Sequence, residues 1–340
     1  MSAIPEQMNA IVQDVYGGPE VLHFATVPTP TAGPRDLLVR VRAISVNPVD
    51  MKVRDGGPAG TPVPGVPKIL GWDGAGVVAA TGPEVTRFRP GDEVYFAGDI
   101  TRPGSYAQFV AIDERIVGRK PRRLTLEEAA AMPLTTLTAW EALFETFRID
   151  PLARPRSILI VGGAGGVGSV AVQIARRVAG LTVVATASRP ESATYARHMG
   201  AGAVIDHGRE LQPQARELGF AGFDYIFSTA SLSNFPQLVS VLNPLGHICV
   251  IVSGPDARAL DVSGLMPIRG TLSYELMFTR PRLGVEPERQ GEILDRVADL
   301  LDSGVLVTTM KESLSWREIQ VAHNRLAAGH TIGKIVLNVD

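Results

Sequence analysis

Cysteine is nearly absent from this chain: among 340 residues there is one, Cys249. That excludes an internal disulfide and any multi-cysteine metal site, and it suits a reducing compartment. Long apolar runs are also missing. The longest, such as 158–161 and 248–252, fall far short of the roughly 18 residues that span a bilayer. Residues 1–10 show no basic segment followed by an apolar one, so no export signal is expected and the expected location is the cytoplasm. Excess charge of either sign is lacking as well. Lys plus Arg number 33 against 35 Asp plus Glu, a formal charge of −2, so no general attraction to nucleic acid or anionic membrane follows. No basic stripe with interleaved aromatics is visible.

What is present is the composition of a soluble enzyme, with 45% apolar and 20% charged residues over a length suited to two domains. The first 125 or so residues read as short strands between Gly and Pro turns: 10–15, 37–46, 76–80, 93–96 and 106–112. Val39, Val41 and Ala43 alternate with Arg40 and Arg42, which puts apolar side chains on one face. This predicts a twisted, partly antiparallel β domain without long helices. Near Thr125 the pattern changes, with helices expected at 126–132 and 138–147. Apolar strands at 157–161, 181–187, 203–206, 223–227 and 246–252 then alternate with helical intervals, the pattern of a parallel sheet covered on both faces. After Thr271 come an amphipathic helix at 291–303, another at 316–328 and a final strand at 334–339. The resulting α/β division is 1–128, 129–272 and 273–340. The last segment returns to the first domain, and a cleft between the domains is the default active site.

The run Gly162-Gly163-Ala164-Gly165-Gly166-Val167-Gly168 follows the strand 157–161 and opens a helix whose apolar positions are Val167, Val170, Ala171, Ile174, Ala175 and Val178. In that setting Gly163, Gly165, Gly166, Val167 and Gly168 form a dinucleotide-binding turn. Its glycines permit the tight bend, approach of backbone to a pyrophosphate, and helix-on-strand packing, while N–H groups at the helix start face the phosphates. The second strand ends at Ala187, where an NAD-binding unit usually carries an acid that accepts from the ribose hydroxyls. Here Ser188-Arg189 stands there instead. A carboxylate would repel a 2′-phosphate, whereas Ser188 can donate to one and Arg189 can form a charge-assisted fork, so NADP(H) is favoured. Arg189 also reads as a solvated surface charge. Ser228 follows the fourth strand and Val252-Ser253 the fifth, where C-terminal strand ends meet a cofactor or simply turn.

No zinc is expected. Cys249 lies in an apolar strand, as a small core residue would, and the six histidines form no short ligand cluster. Hydride transfer needs no metal when the acceptor is a conjugated carbonyl or quinone, because the product anion is delocalised.

The segments Asn47 to Arg54, Leu70 to Val78, Pro90 to Val94, Leu137 to Leu143, Ala187 to Glu191 and Gly333 to Leu337 together resemble the medium-chain dehydrogenase/reductase superfamily. The match runs in order over essentially the whole chain. It is nearest to the zinc-independent quinone oxidoreductase branch, often labelled zinc-type alcohol dehydrogenase-like, including members with a W-E-L-M-F-T-R run where this chain has Tyr274 to Arg280. The resemblance implies a GroES-like, mainly β catalytic domain built from both chain ends, a Rossmann domain between them, NADPH-dependent reduction of quinones or enones, and a homodimer formed through the last Rossmann strands near 268–274. It also implies that the first zinc-ligand Cys of the zinc-dependent relatives falls near Asn47, and the His of their Gly-His-Glu run at Trp72.

Candidate catalytic residues are therefore Asn47, Asp50 and Trp72. Asn47 is read as a donor or acceptor near the nicotinamide ribose or substrate, or as the cap of a turn before Pro48. Asp50, with Lys52, is read as a proton-exchanging group or an ordinary salt-bridged turn. Trp72 is read as a flat wall for an acceptor or as core. Thr135 and Thr138 are read as contacts to the nicotinamide end or as helix caps. By resemblance, backbone at Val252, Ser253 and Phe278 holds the nicotinamide, while Tyr195 and Lys334 help at the phosphate end. An alcohol or aldehyde dehydrogenase-like reductase and a non-catalytic NADPH-binding protein are the alternative functions.

Overall fold

The computed structural model describes residues 3–56, 67–152 and 156–340, and it divides into two compact units. The first comprises Met1–Leu134 with Phe278–Asp340, and the second Thr135–Met277.

The first unit is mainly β. Its N-terminal part carries β1 (Gln7–Gln13), β2 (His23–Pro28), β3 (Asp36–Ser45), β4 (Lys68–Ile69), β5 (Gly74–Thr81), β6 (Glu93–Phe96), β7 (Phe109–Asp113) and β8 (Val117–Arg119). The helices α1 (Pro48–Arg54) and α2 (Leu126–Ala130) accompany them, and α3 (Pro133–Trp140) leads into the second unit. The alternation in β3 takes the predicted sense: Val39, Val41 and Ala43 are buried, Arg40 is half-buried and Arg42 exposed. Leu38, on the opposite face, joins Met8, Ala10, Val12, Ala107 and Phe109 in a small core, so both faces of β3 are covered. Four short elements escape the hydrophobic pattern, among them the two-residue β4. Strand β2 is exposed at alternate residues along an edge, β8 is three residues long, and α1 is a seven-residue helix begun by Pro48, where proline's fixed φ suits the first helical position.

The second unit holds a six-stranded, wholly parallel sheet. Its strands are β9 (Ser157–Val161), β10 (Thr182–Thr186), β11 (Ala203–Ile205), β12 (Phe223–Ser228), β13 (Leu242–Val250) and β14 (Thr271–Tyr274), in the order β11-β10-β9-β12-β13-β14. The helices α4 (Gly166–Arg177), α5 (Pro190–Met199), α6 (Leu211–Glu217) and α7 (Phe235–Ser240) connect them. Leu159, Val161, Val184, Ile226, Ile248 and Val250 share one apolar core with Leu211, Ala215, Phe235 and Leu238 of α6 and α7. Ile158 and Ile160 alternate onto the other face of β9 and are equally buried. Full burial of each such side chain contributes about 1.5–3 kcal/mol. The order places the β9–α4 turn at the centre of the sheet, beside the point where strand order reverses, the position at which open α/β sheets bind ligands.

From Phe278 the chain lies in the first unit again, through α8 (Thr279–Leu283), α9 (Glu288–Asp302), β15 (Met310–Ser315), α10 (Ile319–Ala327) and β16 (Lys334–Asn338). Strand β16 pairs antiparallel with β3, Val336 opposite Ser45, and parallel with β15. This pairing brings Lys334 beside the start of α1. Strand β15, MKESLS, is polar and half-exposed, which explains why apolar periodicity does not reveal it. Among the described residues no helix is long and apolar enough to cross a membrane.

Candidate active site and dinucleotide turn

In the first unit, the end of β3, the start of α1, the turn before β5, α10 and β16 bring polar side chains into a buried network. Asn47 occupies the N-cap position of α1, and its backbone N–H donates to Asp50 Oδ2 at 2.7 Å. Its carboxamide faces elsewhere. Nδ2 donates to Asp73 Oδ2 at 2.8 Å and to Ser45 O at 3.3 Å, while Oδ1 accepts from Lys334 Nζ at 2.5 Å. A carboxylate on one end and an ammonium on the other fix the orientation of the amide. With both N–H groups used, Asn47 can meet a ligand only as an acceptor.

Lys334 also donates to Val46 O at 2.8 Å and pairs with Asp73 at 3.2 Å. Its ammonium, expected at the phosphate end of a cofactor, is bound to three oxygens of the first unit. Asp73 Oδ1 accepts from Leu134 N at 2.8 Å. Burial pushes the Asp73 carboxyl above its ordinary value, against the opposing pull of Lys334 and these hydrogen bonds.

Asp50 is fully buried. Besides Asn47, Oδ2 accepts from the Tyr106 hydroxyl at 2.8 Å, whereas Oδ1 meets no donor among the described residues. Burial dominates and pushes this carboxyl up to about 7. Lys52, the other candidate in this stretch, is exposed. Tyr106 in turn lies 3.0 Å from His323 Nε2, and His323 Nδ1 lies 2.9 Å from Arg54 Nη1. Burial, then the Arg54 charge, lowers His323 to about 3.

Trp72 is buried, donates from Nε1 to Asp99 O at 3.2 Å and meets Phe278 edge-on with ring centroids 6.1 Å apart. It forms part of the wall of a cavity of about 90 Å³, with Phe96, Arg102, Arg115 and Pro281. This space suits a few water molecules.

In the second unit, β9 ends at Val161 and Gly162 turns with φ of +79°, a conformation in which glycine carries no Cβ penalty. The bend is tied to β10 by Gly162 N to Thr186 Oγ1 and Gly163 N to Thr186 O, both 3.0 Å. A Cβ on Gly163 would lie 2.5 Å from Ala185 Cβ, and one on Gly168 would lie 2.1 Å from Gly162 O. Packing alone therefore requires those two glycines. Gly165 differs. Its φ is an ordinary −74°, and a Cβ there would meet only Gly162 O at 3.5 Å. Neither strain nor packing requires it; glycine is a favourable N-cap for α4, and it also admits close approach of a ligand to the backbone. Gly166, Val167 and Gly168 begin α4, and the first N–H groups of a helix have no intrahelical acceptor. The turn thus fits a dinucleotide pyrophosphate.

Ser188 is exposed at the end of β10, and Arg189, half-buried, caps α5 through its backbone, with Ser192 Oγ donating to Arg189 O at 2.8 Å. Tyr195 is buried on α5, and burial raises its hydroxyl above the usual value against a hydrogen bond with Ser169. Ser228 is buried at the end of β12, while Val252 and the exposed Ser253 follow β13. Because α3 starts at Pro133, the buried Thr135 and Thr138 lie inside a helix and neither caps it. Helix α3 runs on as a π-helical segment, Glu141–Thr146, in place of the α-helix expected over 138–147. Cys249 is buried in β13, its thiol pushed up to about 12, chiefly by burial.

Among the described residues no group of three or more His, Cys, Asp or Glu side chains is placed to hold a metal ion. Near Asn47 the donor chemistry does not fit zinc. Asn47 and Trp72 are not its usual ligands, and a dication at Asn47 Oδ1 and Asp73 would face the Lys334 ammonium.

Comparison with known proteins supplies the family. Residues 33–122 match the alcohol dehydrogenase GroES-like domain, and residues 199–337 match the zinc-binding dehydrogenase family. A zinc-type alcohol dehydrogenase-like protein of Staphylococcus aureus is 40% identical over 91% of this chain and 92% of its own length. The chain belongs to the zinc-type alcohol dehydrogenase-like group of the medium-chain dehydrogenase/reductase superfamily. Other members of that superfamily fit the same frame. A quinone oxidoreductase of Pseudomonas aeruginosa is 33% identical over 95% of this chain and 97% of its own length. Among solved structures, a putative zinc-dependent alcohol dehydrogenase protein from Rhizobium etli superposes with a TM-score of 0.92 at 41% identity, covering 98% of this chain and 99% of its own. A mycobacterial protein in complex with NADPH superposes at 0.85 and 28% identity, covering 98% and 100%. The architecture is a GroES-like domain with a Rossmann domain, and the family activity is NAD(P)H-dependent oxidoreduction.

Four residues of the network lie outside the motif-based site: Arg54, Asp73, Tyr106 and His323. Asp73 was within reach, since it follows Trp72 in the run Gly71-Trp72-Asp73. His323 stands 217 residues from Tyr106, and no local pattern joins them.

Proposed function

We propose that this protein uses NADPH to reduce quinones or α,β-unsaturated carbonyls without zinc. The observation that carries the reading is the Asn47 carboxamide held between Lys334 and Asp73, a place already filled by an ammonium. Without a Lewis acid, the acceptor must be one whose reduced anion spreads its own charge, as quinones and enones do.

The reduced nicotinamide supplies the hydride when bound. The second unit's role is to bind it. Backbone of Gly163, Gly165, Gly166, Val167 and Gly168 holds the pyrophosphate, and Ser188, Arg189 and Tyr195 hold the 2′-phosphate end. Thr135, Thr138, Val252, Ser253 and Phe278 are assigned to the nicotinamide end, and Ser228 to the cofactor. In the first unit Asn47 Oδ1 accepts from the ribose or the substrate, Trp72 walls the acceptor, and Lys334 holds Asn47 in place rather than a phosphate. The Pseudomonas quinone oxidoreductase and the NADPH-bound mycobacterial structure support the acceptor and cofactor classes. Assembly is a homodimer through the edge strand β14, where Tyr274 and Leu276 are exposed, and the buried single thiol suits the cytoplasm.

The test is NADPH oxidation with a quinone and an enone panel after exhaustive chelation. Retained turnover is expected. Activity that appears only on adding zinc overturns the reading.

A further inference from the structure

A buried chain of hydrogen bonds crosses the first unit from Arg54 to Asp50, and its direction is fixed by chemistry. A guanidinium only donates, so His323 Nδ1 must accept from Arg54 Nη1 at 2.9 Å. The ring is therefore neutral with its proton on Nε2, the state that its depressed protonation at about 3 preserves. Nε2–H then donates to the Tyr106 oxygen at 3.0 Å, which leaves the phenol its own O–H to give to Asp50 Oδ2 at 2.8 Å. That oxygen also accepts from Asn47 N at 2.7 Å. Two donors therefore point at Oδ2, and a proton on the carboxyl must sit on Oδ1.

Oδ1 is also the atom without a donor among the described residues, in a side chain that is fully buried. A purely structural cap would leave a buried carboxylate oxygen unsatisfied, an unfavourable arrangement for a charged group. A protonated Oδ1 removes that charge and breaks none of the four hydrogen bonds.

We propose that Asp50 holds the proton consumed in the reduction, carried on Oδ1, and that Arg54, His323 and Tyr106 are positioning residues acting through it. The step balances. The acceptor gains two electrons and one hydrogen as hydride and becomes an anion. The O–H bond at Oδ1 breaks and the proton neutralises that anion, a transfer in which the fully buried Oδ1 must be reached by the acceptor or by an intervening water, and Asp50, left as carboxylate, regains a proton by the same route. Burial is what chiefly holds the proton on Asp50; against it the Asn47 N–H, the Tyr106 hydroxyl before β7 and Lys334 of β16 favour release, and the charge of Asp73 before β5 adds a smaller push towards the protonated form. His323 of α10 stays neutral, and Arg54 on α1 is turned to His323 and Asp55.

This inference rests on the reductase reading, and its test separates the two. In cofactor-free protein, infrared difference spectra follow the carbonyl band of a protonated carboxyl as pH is raised. The expected band disappears near neutral pH, is absent in Asp50→Asn, and in Tyr106→Phe persists to higher pH by about one unit, because the phenol no longer favours the ionised form. Circular dichroism confirms that the variants fold, and Tyr106→Phe, which keeps the ring, decides the matter if Asp50→Asn does not. A band that survives Asp50→Asn, no band in the neutral range, or an unmoved midpoint in Tyr106→Phe overturns the proposal. Turnover supplies the second readout: kcat should lose its neutral-range pH step in Asp50→Asn. A titrating band with no quinone or enone turnover would sink the reductase reading and the use of this proton in it, leaving only the protonated state of Asp50.

Discussion

Lys334 and Asn47 stand 287 residues apart, yet the lysine ammonium donates to the asparagine carboxamide oxygen at 2.5 Å. The contact ties the last strand of the chain to the cap of its first helix, and it supplies the positive charge that faces the buried Asp73. Lys334→Met keeps most of the stem and removes that charge. Asp73 is then buried without a counter-ion, a loss of about 3–5 kcal/mol. Urea denaturation should show the fall in midpoint, and adding Asp73→Asn should recover part of it. If the single variant unfolds at the wild-type midpoint, the ion pair does not stabilise the first unit.

Asp50 gives stability a pH dependence of definite sign. Its carboxyl titrates near 3.8 when unfolded and at about 7 when folded. Below the lower value both states hold the proton. Between the two, the folded state keeps a proton that the unfolded chain has lost, so stability falls as pH rises, by about 4 kcal/mol over the whole interval. Asp50→Asn, a neutral mimic of the protonated acid, should lack this component. The difference between wild-type and variant unfolding free energies, taken from pH 4 to pH 8, checks it. A flat difference means that burial does not raise this group.

The Rossmann unit was legible in the sequence because its determinants are local. A five-residue apolar strand, a glycine run and a helical period in Val170, Ala171 and Ile174 all lie within 157–177, and each acts on its neighbours. The buried network was legible only in part. Asn47 and Asp50 carry a helix-cap spacing, but Tyr106, His323 and Lys334 reach them through sheet pairing and helix packing that join distant segments. Nor does the sequence separate the glycines that packing demands, Gly163 and Gly168, from the one it does not, Gly165, since that difference lies in what surrounds each Cα. Of the two readings of Thr138, a nicotinamide contact or a helix cap, the cap falls. A threonine ahead of an apolar run reads as a cap, but Pro133 starts the helix earlier.

Cys249 should be inert in the native protein. Burial pushes its thiol up to about 12, so the thiolate that reacts with alkylating agents is scarce at pH 8. Iodoacetamide followed by mass spectrometry should find it unmodified until denaturant opens the second unit. Rapid modification under native conditions would show that strand β13 is exposed far more often than its packing allows.

Arg189 is the residue by which a 2′-phosphate would be told from a hydroxyl. Arg189→Ala should weaken NADPH binding by about tenfold or more, the loss of a charge-assisted contact, and leave NADH nearly unchanged. Fluorescence titration with both nucleotides measures this. Equal losses, or none, would remove Arg189 from cofactor selection.

Gly165 and Gly168 allow binding and folding to be separated within one turn. In Gly168→Ala the new methyl group would lie 2.1 Å from the Gly162 carbonyl oxygen, so backbone must move. The expected cost is about 2–3 kcal/mol of stability, with cofactor affinity falling as a consequence. In Gly165→Ala the methyl group meets only one oxygen at 3.5 Å, φ is already that of an L-residue, and only the poorer N-cap propensity of alanine opposes it, by at most about 1 kcal/mol. Its effect should fall on the ligand, because the added methyl group occupies the space where the backbone meets the pyrophosphate. Gly165→Ala should therefore keep nearly wild-type unfolding while losing NADPH affinity by tenfold or more. If Gly165→Ala binds NADPH normally, the pyrophosphate does not approach the turn at that residue, and the glycine has no role that packing or binding accounts for.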